Sequence, residues 1–234
     1  MGDGRGPVAV ALLAFAVACV AAFAIGTPSR SPRGDDAVGA FLSTWRASRT
    51  ATFVADYDFS RTLPDGNVLL QTQRVVQRPP DDRLTIGFGA VSGRLGGKIL
   101  RCASEPTGTS RCFTSEIARP YDEEVDGEVG RLEALVRGDR PAYRAIEFAE
   151  DGNQCFRLDL VVAVPSPPYG DHALFCFDRT THAPSLTVIE RVEATDRTEA
   201  TAIRPTVTAD DLEVVPDAGA LVGVPGPTTS TSSG

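Results

Sequence analysis

Lysine is almost missing from this chain: of 23 basic residues only Lys98 is a lysine. With abundant Ala, Gly, Val and Pro, this is the codon signature of a GC-rich bacterial genome and carries no mechanism. A basic excess is missing too. The formal net charge is −8, so the chain offers no basic face for phosphate, and a nucleic-acid partner is excluded. Histidine is scarce. His172 and His182 stand alone, both in turn-like sequence beside Pro and Gly, and read as solvated loop residues. A nucleophilic cysteine therefore has no evident histidine partner. No C-x-x-C, G-x-S-x-G or H-E-x-x-H motif occurs, and no glycine-rich phosphate loop lies in strand-to-helix context. The run "GRLGG" at 93–97 joins two apolar segments and reads as a hairpin turn. Asp122, Glu123 and Glu124 open a helix, where capping accounts for them, and Asp210 and Asp211 sit in a terminal turn. No acid and base pair can be singled out. The expectation is a protein that is not an enzyme and has no cofactor and no metal.

What is present begins with "PVAVALLAFAVACVAAFAIG", residues 7–26, which contains no charge. Twenty helical residues span roughly 30 Å, one bilayer core. A removable signal peptide has a shorter apolar core and a basic start. Here only Arg5 precedes the run, offset by Asp3. An uncleaved anchor is the favoured reading, with a cleaved signal second. A lipoprotein attached at Cys19 comes third, because Ala16 is small for the attachment motif and the apolar run continues to Ile25. No second apolar run of this length exists, so the remainder lies on one side of the membrane.

The other four cysteines form two local pairs, Cys102 with Cys112 and Cys155 with Cys176. Behind an export segment, such pairs read as disulfides. Zinc ligands come in tighter pairs. Folding 155–176 as a hairpin with the cysteines opposed places Phe156 opposite Phe175 and Leu158 opposite Ala173, on the other face of the sheet. One register thus pairs both cysteines and aromatics. Each closure is expected to contribute roughly 3 kcal/mol.

Periodicity supplies the elements. "DDAVGAFLSTWRASR" is a predicted helix, with Val38, Phe41, Leu42 and Trp45 on one stripe. "TATFVADYDFSR" alternates, placing Phe53, Ala55, Tyr57 and Phe59 on one face of a strand. A turn at 64–66 and the strand "NVLLQTQRVVQR" follow. "RLTIGFGAV" is predicted as one strand with Leu84, Ile86, Phe88 and Ala90 aligned. A stapled hairpin spans 98–116. "DEEVDGEVGRLEALVRG" is the second helix, striped by Val125, Val129, Leu132 and Val136. A hairpin around Asp151-Gly152 and three further strands complete the pattern.

The predicted fold is α+β: one N-terminal transmembrane helix, then an antiparallel sheet with helices packed on a single face. The domains read as a short segment 1–6, an anchor or signal 7–26, a linker 27–35, an extracytoplasmic domain 36–216 and a flexible tail 217–234.

Three segments carry a resemblance. "FLSTWRASRTATFVADYDF" runs a tryptophan-bearing helix straight into a strand. "FCFDRTTHAPSLTVIERV" joins two strands by an aspartate-led turn and proline, and "ADDLEVVP" closes the domain. Together they resemble the LolA-like superfamily of bacterial envelope proteins, which includes the LprG/LppX lipoproteins and the N-terminal domain of RseB. The resemblance covers roughly residues 36–216. The lipoprotein cysteine and the two disulfide pairs depart from the family's general pattern. The resemblance implies a curved half-barrel sheet wrapping two or more helices on its concave face, with an apolar cavity between them. Phe53, Tyr57, Phe59, Leu84, Ile86, Phe88, Phe156 and Leu158 would line it from the sheet, facing Trp45 and Leu132 of the helices. The same residues would equally fill a closed core. Two functions follow from the resemblance. One is a binder of lipid or lipoglycan, tethered to the cytoplasmic membrane through residues 7–26 with its domain outside. The other is an RseB-like interaction or sensory domain whose partner is another envelope protein.

Overall fold

The computed structural model describes residues 34–104, 110–117 and 119–213. The anchor 7–26, Cys19, nearly all of the linker and the tail 217–234 lie outside the described residues. Among the described residues no helix is long and apolar enough to cross a membrane.

Helix α1, Gly34–Thr50, buries Ala37, Val38, Phe41 and Leu42. It leads into a meander of six strands: β1 Phe53–Thr62, β2 Val68–Arg78, β3 Asp82–Gly87, β4 Ala90–Leu95, β5 Lys98–Ser104 and β6 Ser110–Ser115. Helix α2, Tyr121–Val136, carries Asp122, Glu123 and Glu124 in its first turn, where the helix dipole favours them. It buries Tyr121, Val125, Val129, Leu132 and Val136, the 3.6-residue stripe of a half-covered helix. A second meander follows: β7 Tyr143–Glu150, β8 Asn153–Leu160, β9 His172–Asp178, β10 Pro184–Glu190 and β11 Thr195–Arg204, with a 3-10 turn at Asp210–Leu212.

All eleven strands form one antiparallel sheet in the order β6-β5-β4-β3-β2-β1-β11-β10-β9-β8-β7. The first and last strands meet at its centre, and α2 carries the chain from one edge to the other. The sheet bends around the helices. Laid flat, β4 and β8 would be roughly 34 Å apart, seven spacings of about 4.8 Å. Yet Arg94 of β4 pairs with Glu124 of α2 at 2.9 Å, while Leu132 of the same helix joins Leu158 of β8 in one core cluster. Glu124 and Leu132 are only roughly 12 Å apart along the helix axis.

Both disulfides are formed, Cys102–Cys112 and Cys155–Cys176. The expected hairpin register is present, with Cys155 opposite Cys176, Phe156 opposite Phe175 and Leu158 opposite Ala173. The predicted strand across 83–91 is a correction. The chain reverses at Phe88 and Gly89, whose φ values of 56° and 68° make a two-residue hairpin turn. Alternation continued through the turn because both arms carry apolar residues, and only Gly89 signalled the reversal. Phe88 is therefore no part of an aligned strand face. It is exposed, and its ring meets Phe59 at 5.8 Å.

Candidate functional site

Side chains alternate across a strand, so the pairing register assigns every residue to a face. On β1, Phe53, Ala55 and Tyr57 turn to the helix side, and Val54 turns away. Val54 pairs with Val76, and Val76 with Leu84. Leu84 and Ile86 thus lie on the face away from the helices, in a cluster with Val54, Val76, Val91 and Leu100. This corrects the expectation that they share a cavity with Phe53 and Tyr57. The strand's own alternation was right, but the register inverts its orientation.

The predicted lining residues therefore separate into groups. Trp45, Phe53 and Tyr57 come together around a cavity of about 270 Å³ between the end of α1 and the middle of the sheet. Phe59 lies further along the same face of β1, half-buried and against Phe88. Phe156, Leu158 and Leu132 sit beside the cavity in the closed helix–sheet core, where Phe156 and Leu158 are fully buried. Their rings and branches fill space that α1 supplies: Phe41 packs on Phe156 at 5.4 Å.

The cavity has two walls of different chemistry. The apolar wall adds Val75, Phe175, Phe177 and Leu186 to the aromatic three. Trp45 stands edge-on to Phe175 and Phe177, at 5.3 and 6.0 Å. Tyr57 donates its hydroxyl hydrogen to the Pro184 carbonyl at 2.9 Å. Burial pushes its phenol far above the ordinary tyrosine value, partly countered by the charge of Arg83. The polar wall is made by Arg49, Gln77, Arg83 and Glu128. Gln77, which is 1% exposed, donates to the carbonyls of Ser48 at 2.7 Å and Ala51 at 2.8 Å, tying β2 to the end of α1. Trp45 Nε1 donates to Glu128 Oε1 at 2.8 Å. Arg49 faces Glu124 and Glu128 at 3.1 and 3.0 Å.

Arg83 differs from these. Its Nε donates to Gln77 Oε1 at 3.0 Å, and among the described residues no carboxylate stands at ion-pair distance from it. Burial, and then the neighbouring Arg49, lower its pKa. The polar wall and its margin hold Arg49, Arg83 and Arg94 against Glu124 and Glu128, an excess of one positive charge. An anionic group beside Arg83 would offset that excess. Sequence reading missed this wall. Gln71, Gln73 and Gln77, alternating on the face of β2 that opposes Phe59, Tyr57 and Phe53, were the available signal, since polar residues on a buried face must find partners.

Among the described residues the grouping close enough to ligate is Glu150 with Cys155 and Cys176, and the disulfide removes both thiolates. His172 Nδ1 lies 3.0 Å from Asp159, which is also shared by Arg144 and Arg157. Burial would raise the Asp159 pKa, but the His172 and arginine contacts outweigh it and hold the carboxyl down.

No protein-family model matches the chain, and no curated protein matches it. Solved structures do. The LolA superfamily protein NE2245 from Nitrosomonas europaea is 8% identical, over 76% of this chain and 97% of that one, with a TM-score of 0.33. A putative outer membrane lipoprotein-sorting protein domain from Vibrio parahaemolyticus is 8% identical, over 77% and 97%, at 0.27. The Pseudomonas aeruginosa MucA/MucB complex matches at 14% identity and 0.40, over 77% of this chain and 61% of that one. The chain thus spans about three fifths of that last structure's chain.

Proposed function

We propose that this domain is a non-catalytic carrier or sensor that binds one acyl chain of an anionic lipid or lipoglycan, outside the cytoplasm and tethered to the cytoplasmic membrane through residues 7–26. The observation that carries this reading is the pairing, within one cavity, of an aromatic wall with a guanidinium, Arg83, that has no carboxylate at ion-pair distance among the described residues. The chain of the guest lies along Trp45, Tyr57, Phe175 and Phe177, and its acidic group meets Arg83. At about 270 Å³ the cavity lies just under the range of about 300–1,000 Å³ typical of ligand sites, which suits one chain rather than several. The test is native mass spectrometry of the full chain taken from membranes, beside Arg83→Gln. The wild type should carry an acidic single-chain or partly inserted lipid, and Arg83→Gln should lose it while its melting temperature stays close. Equal occupancy in both, or none in either, would remove this reading.

A second reading, an envelope protein as partner, is favoured by the open edge of the sheet at β6, where Phe113 is 65% exposed. A strand added there would pair with free backbone groups and cover that ring. Protein cross-links mapping to β6, with the cavity empty, would favour it.

A further inference from the structure

The described residues have nine exposed large apolar side chains. Six of them, Val68, Leu69, Leu70, Val161, Val162 and Val192, share one end of the sheet. The registers place them there. Thr62 opposes Val68 on one side and Thr195 on the other. Thr195 opposes Glu190, Glu190 opposes His172, and His172 opposes Asp159. The β1–β2 turn, the β10–β11 turn and the segment after β8 therefore lie along one rim. Val192 is 85% exposed and Leu70 74%. Scattered apolar residues need no explanation, whereas a cluster on separate protruding turns does.

The direction of α1 says what this rim faces. Phe41 touches Phe156 and Phe175, while Trp45, one turn on, touches Phe175 and Phe177. Strand β9 runs from His172 at the apolar rim towards Asp178 at the far end, so α1 runs the same way. Its first residue, Gly34, thus points to the apolar rim. Only residues 27–33 separate it from the apolar run 7–26. Seven residues reach at most roughly 25 Å fully extended.

We infer that this rim rests on the bilayer surface, with the β1–β2 hairpin, the β10–β11 turn and Val161–Val162 dipping into the headgroup region. The inference depends on the tether proposed above. Protruding tips on three segments suit a fluid surface better than the flat complementary face of a protein partner. The rim carries no basic excess: Arg61 and Arg191 share Asp196, at 2.6 and 2.8 Å, Glu190 and Glu193 stand in the same turn, and Arg140 follows Asp139 beside Ala142. Docking would hence run through apolar contact and need no anionic lipid.

The test uses the full chain with Leu70→Trp or Val192→Trp, and Thr180→Trp in the β9–β10 turn at the opposite end as the control. Each is reconstituted into phosphatidylcholine vesicles with or without bromine on the acyl chains. The two rim probes should lose roughly half their emission in brominated vesicles, as side chains buried about 5–10 Å into the headgroup–acyl boundary do. Thr180→Trp should match the wild type, in which Trp45 supplies the background. Chain that floats with the vesicles but shows no rim quenching overturns the docking alone. Chain that does not float overturns the tether and the docking together. Equal quenching at both ends overturns an oriented contact. Rim emission that shifts blue with protein concentration, regardless of bromine, assigns the patch to a second copy of the chain and also overturns it.

Discussion

The two meanders of the sheet use the helices in opposite ways. In β7–β9 the helix-facing side is apolar: Tyr143, Ala145, Phe156, Leu158, Ala173, Phe175 and Phe177 form one cluster with α1 and α2. In β2–β4 the helix-facing side carries Gln77, Arg83 and Arg94, and the apolar residues Val76, Leu84 and Val91 point away, where Val207 and Leu212 of the closing segment cover them. One continuous sheet therefore has its core on different faces at its two ends. The cavity sits where they meet, which is why one wall is aromatic and the other holds guanidinium groups. An amphipathic site arises here from a change of buried face along a sheet, without any special loop.

The largest effect expected from this division is in the cores. Phe156→Ala should cost about 3–5 kcal/mol and Leu84→Ala about 2–5 kcal/mol, because both side chains are fully buried. Their coupling is the sharper measurement. Urea midpoints of the double variant Leu84→Ala/Phe156→Ala should be additive, as for sites without shared partners, whereas Leu84→Ala with Leu212→Ala should not be. Strong coupling between Leu84 and Phe156 would mean a single core and break the comparison.

How far the sequence carried this is visible in the same residues. Helix α1 was legible from Val38, Phe41, Leu42 and Trp45. The Cys155–Cys176 hairpin was legible down to its register, because a covalent constraint and an aromatic pair demanded the same alignment. Leu84 and Ile86 were legible as strand residues but not as outward-facing ones. Alternation defines two faces and does not say which meets the helices; that depends on pairing with Val76, a contact between segments. Arg83 was invisible for the same reason. Its role comes from lying opposite Gln77 beneath the end of α1, and nothing local marks it.

A smaller effect tests the junction. Tyr57→Trp adds volume beside the cavity, and Phe156→Trp adds it in the closed core. Overpacking typically costs about 1–3 kcal/mol, and Phe156→Trp should fall in that range. Tyr57→Trp should cost less, since the ring can enter the open space, and it should displace bound lipid. Equal losses of melting temperature would show that the space beside Tyr57 is not available to a guest.

The smallest effect concerns the segment that covers the outer core. Asp211 binds it in place: its Oδ2 accepts from the Thr208 amide and hydroxyl, both at 2.7 Å, and its Oδ1 accepts from Arg204 of β11. Burial alone would raise the Asp211 pKa, but the Thr208 and Arg204 hydrogen bonds outweigh it and hold the carboxyl at about 2. An unfolded aspartate titrates near about 3.9. The folded state therefore binds this proton less readily than the unfolded one. The resulting stability is fully present above about pH 4 and is lost as the pH falls to about 2. Arg204 is partly solvated, so the contribution is modest. Asp211→Asn should be less stable than wild type at neutral pH, and the gap between their urea midpoints should close between about pH 4 and pH 2. Because the buckle holds only the outer cover of the first meander, the gap should be followed by a reporter near Leu84 and not by one near Phe156. A gap that stays constant with pH would mean that the carboxylate charge of Asp211 does not secure this segment. The outer core would then depend on Val207 and Leu212 alone.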